Sequence, residues 1–270
     1  MSQMPTIKEL FKAGAHYGHR RDKTDARSNA YVFGYFNRVS VINLEKTVDS
    51  LQKALDFLAE QAKESATILF VGSKEQAQNK IKEVAEALKM PYIIKRWPGG
   101  LLTNYDVVSK AIRKMVKTEK DLAENAYEHL KKKERLMIQK DLEKSKQIFG
   151  GLAVLEAKPD VVFIIDAENE NIALKEAIRD EIPVVSISDT ASNPKAIDYP
   201  IVANDDSQKT IEIIMDLVKE TIQKNFKPKI TEDKKMEERL EAKPKVEKRE
   251  TVKEVSKENE GAGKEVKEEK

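Results

Sequence analysis

Residues 161–203 read VVFIIDAENENIALKEAIRDEIPVVSISDTASNPKAIDYPIVA, and their reading decides the fold. Three runs in this stretch, Val161–Asp166, Pro183–Ser188 and Asp198–Ala203, are short and largely apolar. A helical pattern from about Asn169 to Arg179 separates the first two. Strands that are apolar on both faces and separated by helices belong to a parallel sheet covered on both sides. Working upstream, Thr67–Gly72 is a fourth such run, followed by a helical pattern over Lys74–Lys89 and a further strand at Pro91–Ile94. Gln208–Gln223 predicts a long amphipathic helix, and Leu44–Lys63 another, with Leu44, Val48, Leu51, Leu55 and Leu58 on one stripe. The fold class expected is α/β, a doubly wound, flavodoxin- or Rossmann-like parallel sheet.

Two segments break this rhythm. Between Asn104 and Gly150, Val108, Ile112, Met115, Leu122 and Ala126 share one seam, and Ile138, Leu142, Ser145, Phe149 and Leu152 share another. A seam of about 3.5 residues with charges between predicts an inserted antiparallel coiled-coil helical hairpin; two ordinary core helices are the alternative. The stretch 227–270 mixes both signs of charge with few large apolar residues and is expected to be a disordered tail. The expected domains are thus 1–104 and 150–226 for the α/β core, 105–149 for the hairpin and 227–270 for the tail.

Composition narrows the function. Of the 270 residues, 36% are charged, well above the usual share of about 25%, yet the net charge is only +2. The distribution is more telling. Residues 8–38 hold seven basic against three acidic side chains, 91–120 seven against two, and 159–210 four against eleven. One kind of surface suits phosphates, and the acidic stretch is expected to face protein partners. The absence of cysteine excludes disulfides and thiolate metal sites. With no long apolar run and no apolar signal core at the start, a soluble cytoplasmic protein is expected.

Three places carry candidate chemistry. Phe70-Val-Gly-Ser-Lys74 joins a strand to a helix start. It lacks both the G-x-G-x-x-G and the P-loop patterns, so it reads as a tight turn with Ser73 as helix cap, or as a phosphate contact. In Lys95-Arg96-Trp97-Pro-Gly-Gly-Leu-Leu-Thr-Asn104, Arg96 suits a phosphate. Trp97 there is either a stacking face or core packing. In Lys12-Ala-Gly-Ala-His16-Tyr-Gly-His19-Arg20-Arg21, the histidines and arginines suit RNA or a metal. Asp189 and Asp205 end strands at the carboxyl rim. If the His16–His19 loop folds over that rim, His19, Asp189 and Asp205 would hold a divalent cation such as Zn²⁺; the plainer reading is that the aspartates cap helices and loops. No nucleophile elbow or H-E-x-x-H is present, and three histidines leave little acid–base machinery.

Taken in order, Leu10-Phe-Lys-Ala-Gly-Ala-His-Tyr-Gly-His19, Val41-Ile-Asn-Leu-Glu-Lys-Thr47, Ile68-Leu-Phe-Val-Gly72, Arg96-Trp-Pro-Gly-Gly-Leu-Leu-Thr-Asn104 and Asn204-Asp-Asp206 resemble the signatures of the ribosomal protein S2 family. The resemblance runs from about residue 5 to 225. It implies no enzyme and no required cofactor. It implies a structural constituent of the small (30S) subunit, docked on 16S rRNA beside neighbouring ribosomal proteins. It also implies a part in anchoring ribosomal protein S1, with a zinc ion near that contact. The family commonly shows Asn-Pro-Lys-Met after the second histidine; Arg21-Asp-Lys-Thr-Asp-Ala-Arg-Ser-Asn29 stands here instead. RNA contacts are expected at Lys12, His16, Arg20, Arg21, Lys23, Arg27, Arg38, Lys95, Arg96, Trp97 and Asn104. The rivals are an enzyme binding a nucleotide or sugar phosphate on the same fold, and a coiled-coil adaptor without RNA.

Overall fold

The computed structural model describes residues 4–226; the tail expected at 227–270 lies outside them. Eight strands and seven α-helices make up the described chain. The core is a parallel sheet of five strands, β4 (Ile68–Val71), β5 (Tyr92–Ile93), β6 (Val161–Ile165), β7 (Val184–Ser188) and β8 (Tyr199–Val202), in the order β5-β4-β6-β7-β8. Numbered within the sheet this is 2-1-3-4-5, the flavodoxin-like order, whose switch point lies between β4 and β6. Register is even across the centre, with Leu69 opposite Val162, and Ile164 opposite Ser186.

Continuous apolar strands are what two covered faces require. Ile68, Phe70, Val161, Phe163 and Ile165 point into one cluster with helices α2 (Leu44–Lys63), α3 (Glu75–Leu88) and α7 (Gln208–Asn225). Leu69, Val71, Val162 and Ile164 point into the other, with α6 (Asn171–Arg179), Trp97, Leu101, Leu102 and Leu152. Fully burying one such side chain contributes about 1.5–3 kcal/mol, so the two layers supply most of the driving force for folding.

Between β5 and β6 stand α4 (Tyr105–Ala123) and α5 (Lys132–Phe149). The least exposed positions of α5 are Ile138, Leu142, Ser145 and Phe149, the stripe expected from the sequence. It faces Ala111, Met115 and Thr118 of α4 across a groove of about 450 Å³, and Lys146 pairs with Glu119 at 2.6 Å. Two expected seam positions fall elsewhere. Ala126 lies beyond the end of α4, and Leu152 is buried in the core.

The N-terminal forty residues hold a sheet that sequence periodicity did not indicate. After α1 (Ile7–Ala13) come β1 (Tyr17–Arg20), β2 (Val32–Phe36) and β3 (Val39–Ile42), antiparallel in the order β1-β3-β2. The expected His16–His19 loop is therefore mostly strand. Asn37 and Arg38, both at positive φ (47° and 65°), form the two-residue turn between β2 and β3. Two left-handed residues there match the twist of a tight hairpin.

Candidate nucleic-acid interface and the carboxyl rim

The antiparallel sheet and the end of α1 lie over the carboxyl ends of β7 and β8. Asn204 donates to the Gly14 carbonyl (2.9 Å), while Ser207 and Thr210 donate to that of Ala13 (2.7 and 3.2 Å). The Thr190 hydroxyl accepts from the His19 amide (3.0 Å), and Ser28 donates to the Ser192 carbonyl (2.7 Å). Gly18 permits this seat, because a Cβ there would stand 2.5 Å from Ser40 Oγ and 2.7 Å from Thr190 Oγ1.

Outward from this seat stand the cations. Arg20, Arg21, Lys23 and Arg38 are exposed, and the Arg21 amide donates to the Arg38 carbonyl (2.8 Å), which holds the end of β1 beside the hairpin turn. Arg20 lies 3.2 Å from Asp22, and Arg21 sits over the Tyr35 ring at 5.1 Å. Arg27 is already engaged, its guanidinium forked on Asp25 at 2.9 and 2.6 Å. Lys12 is exposed in the last turn of α1. His16 is half-buried between the rings of Phe11 and Tyr17 (centroids 4.2 and 4.1 Å), and burial lowers its pKa. Its ring is thus packed between two aromatic neighbours. Sequence reasoning also missed the exposed aromatic residues of the antiparallel sheet: Tyr17 and Phe36 face outward across β3, and Phe33 is 79% exposed in the bulge of β2.

The second basic group follows β5, at the opposite edge of the core sheet. Lys95 and Arg96 are exposed, and Asn104, also exposed, precedes α4. Trp97 is not a stacking face. It is 5% exposed, packs among Ile93, Leu101 and Leu102, and donates its indole N–H to Glu176 (3.0 Å). Glu176, which sequence reasoning did not single out as a site residue, also accepts from the amides of Gly100 (2.7 Å), Leu102 (3.1 Å) and Thr103 (3.4 Å) and from the Thr103 hydroxyl (3.4 Å). Burial pushes its carboxyl up, but these donors outweigh that and hold it below the usual carboxylate range. One signal was available: residue 176 follows Ala173 by three positions and adjoins Ala177, so it borders the buried stripe of α6.

At the carboxyl rim the expected cation ligands only partly converge. His19 Nδ1 contacts Asp189 Oδ2, and Asp189 Oδ1 accepts from the Ala191 amide (2.8 Å). Asp205 turns away. Its Oδ1 holds Lys74 Nζ at 2.7 Å and its Oδ2 accepts from the Asp189 amide (3.2 Å). Among the described residues no group of three or more His, Asp or Glu side chains is placed to hold a metal. The set His19, Asp189 and Asp205 therefore does not fit a three-ligand zinc site as it stands.

Lys74 is the centre of the rim instead. It reaches Asp166 (2.8 Å), Asp205 (2.7 Å) and Asp206 (2.7 Å). Burial would lower its pKa, but Asp205 and the three hydrogen bonds hold it above its ordinary value. Three carboxylates sharing one ammonium leave a surplus of negative charge; burial, with Asp166 beside it, pushes Asp205 up to about 7. Ser73 is not a helix cap: its amide donates to Glu170 (2.9 Å) and its hydroxyl accepts from Asn169 (2.9 Å). The switch-point crevice, where such sheets take anionic ligands, is thus filled by the chain's own side chains. The acidity of 159–210 is largely used in this way: Asp160, Asp166, Glu170, Glu176, Asp180, Asp189, Asp198, Asp205 and Asp206 all cap amides or pair with cations. It does not form the free acidic face that the charge count suggested.

The family model of ribosomal protein S2 matches residues 10–225. The chain belongs to the ribosomal protein S2 family. Small ribosomal subunit protein uS2 of Bacteroides fragilis is 41% identical over 207 residues, covering 77% of this chain and 74% of that one. Its counterpart from Francisella philomiragia is 40% identical over 212 residues, covering 78% and 89%. Ribosomal protein S2 is a structural ribosomal component, not an enzyme.

Proposed function

We propose that this chain is a structural constituent of the small (30S) ribosomal subunit at the cytoplasmic ribosome, docked on 16S rRNA and in contact with neighbouring ribosomal proteins. Within an S2-family chain, the observation that carries the docking is the corner where Arg20, Arg21, Lys23 and Arg38 stand exposed together, held by the backbone bond between Arg21 and Arg38. Such a corner neutralises phosphates and recognises the shape of a folded RNA rather than its bases. Lys95 and Arg96 would add contacts at the far edge of the core. The helix pair α4–α5 is read as an antiparallel coiled coil, inserted at 105–149 between core segments 1–104 and 150–226. Anchoring of ribosomal protein S1 would fall to an apolar surface. The exposed side chains of Phe33, Tyr35 and Phe36 along β2 support that reading, because exposed apolar patches mark interaction sites. The function needs no cofactor and no small-molecule substrate.

Sedimentation of tagged full-length chain in sucrose gradients at low and high salt tests the docking. Stoichiometric presence in the 30S peak, falling as salt rises, is expected, because each phosphate contact releases a counterion. The R20A/R21A/R38A variant should leave the peak at lower salt than the parent chain. Absence from the peak at both salts would sink the proposal.

A further inference from the structure

Residues 95–104 both expose Lys95 and Arg96 and launch α4, yet the segment has little regular structure to fix it. Its internal backbone bonds are Leu101 to the Pro98 carbonyl (3.1 Å) and Asn104 to that of Gly100 (2.8 Å), and Gly100 sits at φ 85°. What gathers the loop is a single carboxylate from α6. Glu176 collects the Trp97 indole N–H, the Gly100, Leu102 and Thr103 amides and the Thr103 hydroxyl, all within 3.4 Å. Trp97 is the residue after Arg96, so the bond that seats its indole also fixes where the Arg96 backbone leaves the core. Thr103, at the other end, stands two residues before the first turn of α4. We propose that Glu176 is a positioning residue for RNA docking, holding the Lys95–Arg96 corner in the geometry that meets phosphate. This rests on the docking reading above and deepens it. The role is distinct from plain stabilisation: a residue that only stabilised the core would affect docking equally whether or not Lys95 and Arg96 were present.

The test is rebinding of the purified full-length chain to small-subunit particles stripped of it by high salt, measured across a salt series. Four chains are compared: the parent, E176Q, K95A/R96A and the triple variant. E176Q is expected to lower the salt slope by about one to two, the value of one or two lost phosphate contacts. It should add almost nothing in the K95A/R96A background, as coupled sites are non-additive. Emission of Trp97, the only tryptophan and 5% exposed in the parent, should shift to the red in E176Q as the loosened loop lets water reach the ring. An equal loss of rebinding in both backgrounds would overturn the proposal, as would rebinding unchanged by E176Q. If K95A/R96A itself rebinds like the parent, Lys95 and Arg96 do not meet RNA and the proposal falls, while docking through Arg20, Arg21 and Arg38 is left to the sedimentation test. Should E176Q fail to fold, E176D, which keeps the charge but not the reach, takes its place in the cycle.

Discussion

Glu176 also makes a prediction about stability that is independent of RNA. Its carboxylate accepts from five backbone or side-chain groups inside a part-buried loop, and a Gln oxygen serves fewer of them while its amide opposes the rest. E176Q should lose about 1–3 kcal/mol at neutral pH. The carboxyl is held below its usual range in the folded chain. Its contribution is therefore complete above the unfolded value of about 4.3 and is lost as pH falls through the lower folded value. Denaturant melts should show the largest gap between parent and E176Q near pH 7 and a narrowing gap below about pH 4. A gap that is constant with pH would contradict the assignment. The sequence offered little toward this residue because its donors lie more than seventy positions upstream. Gly150 and Gly151 make a second test at this scale. A Cβ at Gly151 would stand 2.2 Å from the Tyr92 carbonyl, which is backbone and cannot swing aside, whereas nothing lies within 4 Å of one at Gly150. G151A is expected to cost about 1–3 kcal/mol of overpacking and G150A to cost little.

At the scale of elements, the parallel strands were legible and the antiparallel ones were not, for a physical reason. Strands such as Val161–Ile165 are buried on both faces, so every residue is apolar and the run stands out from its flanks. Tyr17–Arg20 and Val32–Phe36 carry one buried face at most, are four and five residues long, and contain a glycine each. A bulge between Val32 and Gly34 interrupts the alternation that would reveal the second of them. Periodicity alone therefore does not separate these strands, which seat the basic corner, from loop. For α4 and α5, the periodic stripe was legible because the least exposed positions, buried in α4 and half-exposed in α5, recur on one side of each helix. Leu142 belongs to that stripe, whereas Leu136 is half exposed away from it. L142D should loosen the pair and raise amide exchange along α4 and α5 while β4 and β6 stay protected; L136D should leave exchange near the parent level. Equal effects of the two substitutions would show that the helices do not pack through this stripe.

For the molecule as a whole, the decisive contrast is between a sheet order that invites a nucleotide and a crevice that is already full. The strand order alone admits the enzyme reading, since such sheets host many chemistries. The rim residues argue against it. Glu170 takes the Ser73 amide (2.9 Å) at the approach to α3, where a phosphate would stand, and Lys74 is held by three carboxylates. Strand-end aspartates were legible as a rim cluster, but their partners were not, because Lys74 is separated from Asp205 by more than a hundred residues. A nucleotide entering here would have to displace one carboxylate from a helix N-terminus and bring its own negative charge beside three others. Millimolar ATP, NAD or inorganic phosphate should therefore leave the melting temperature of the full-length chain unchanged. The measurement is sensitive enough to decide. A ligand present at a hundred times its Kd stabilises by about 2.7 kcal/mol. For a domain of this size that is a shift of roughly 5–10 °C. A rise of that order with any of the three would mean that Glu170 yields the crevice to an anion, and the binding role of this rim would have to be reconsidered beside the proposed RNA-docking face.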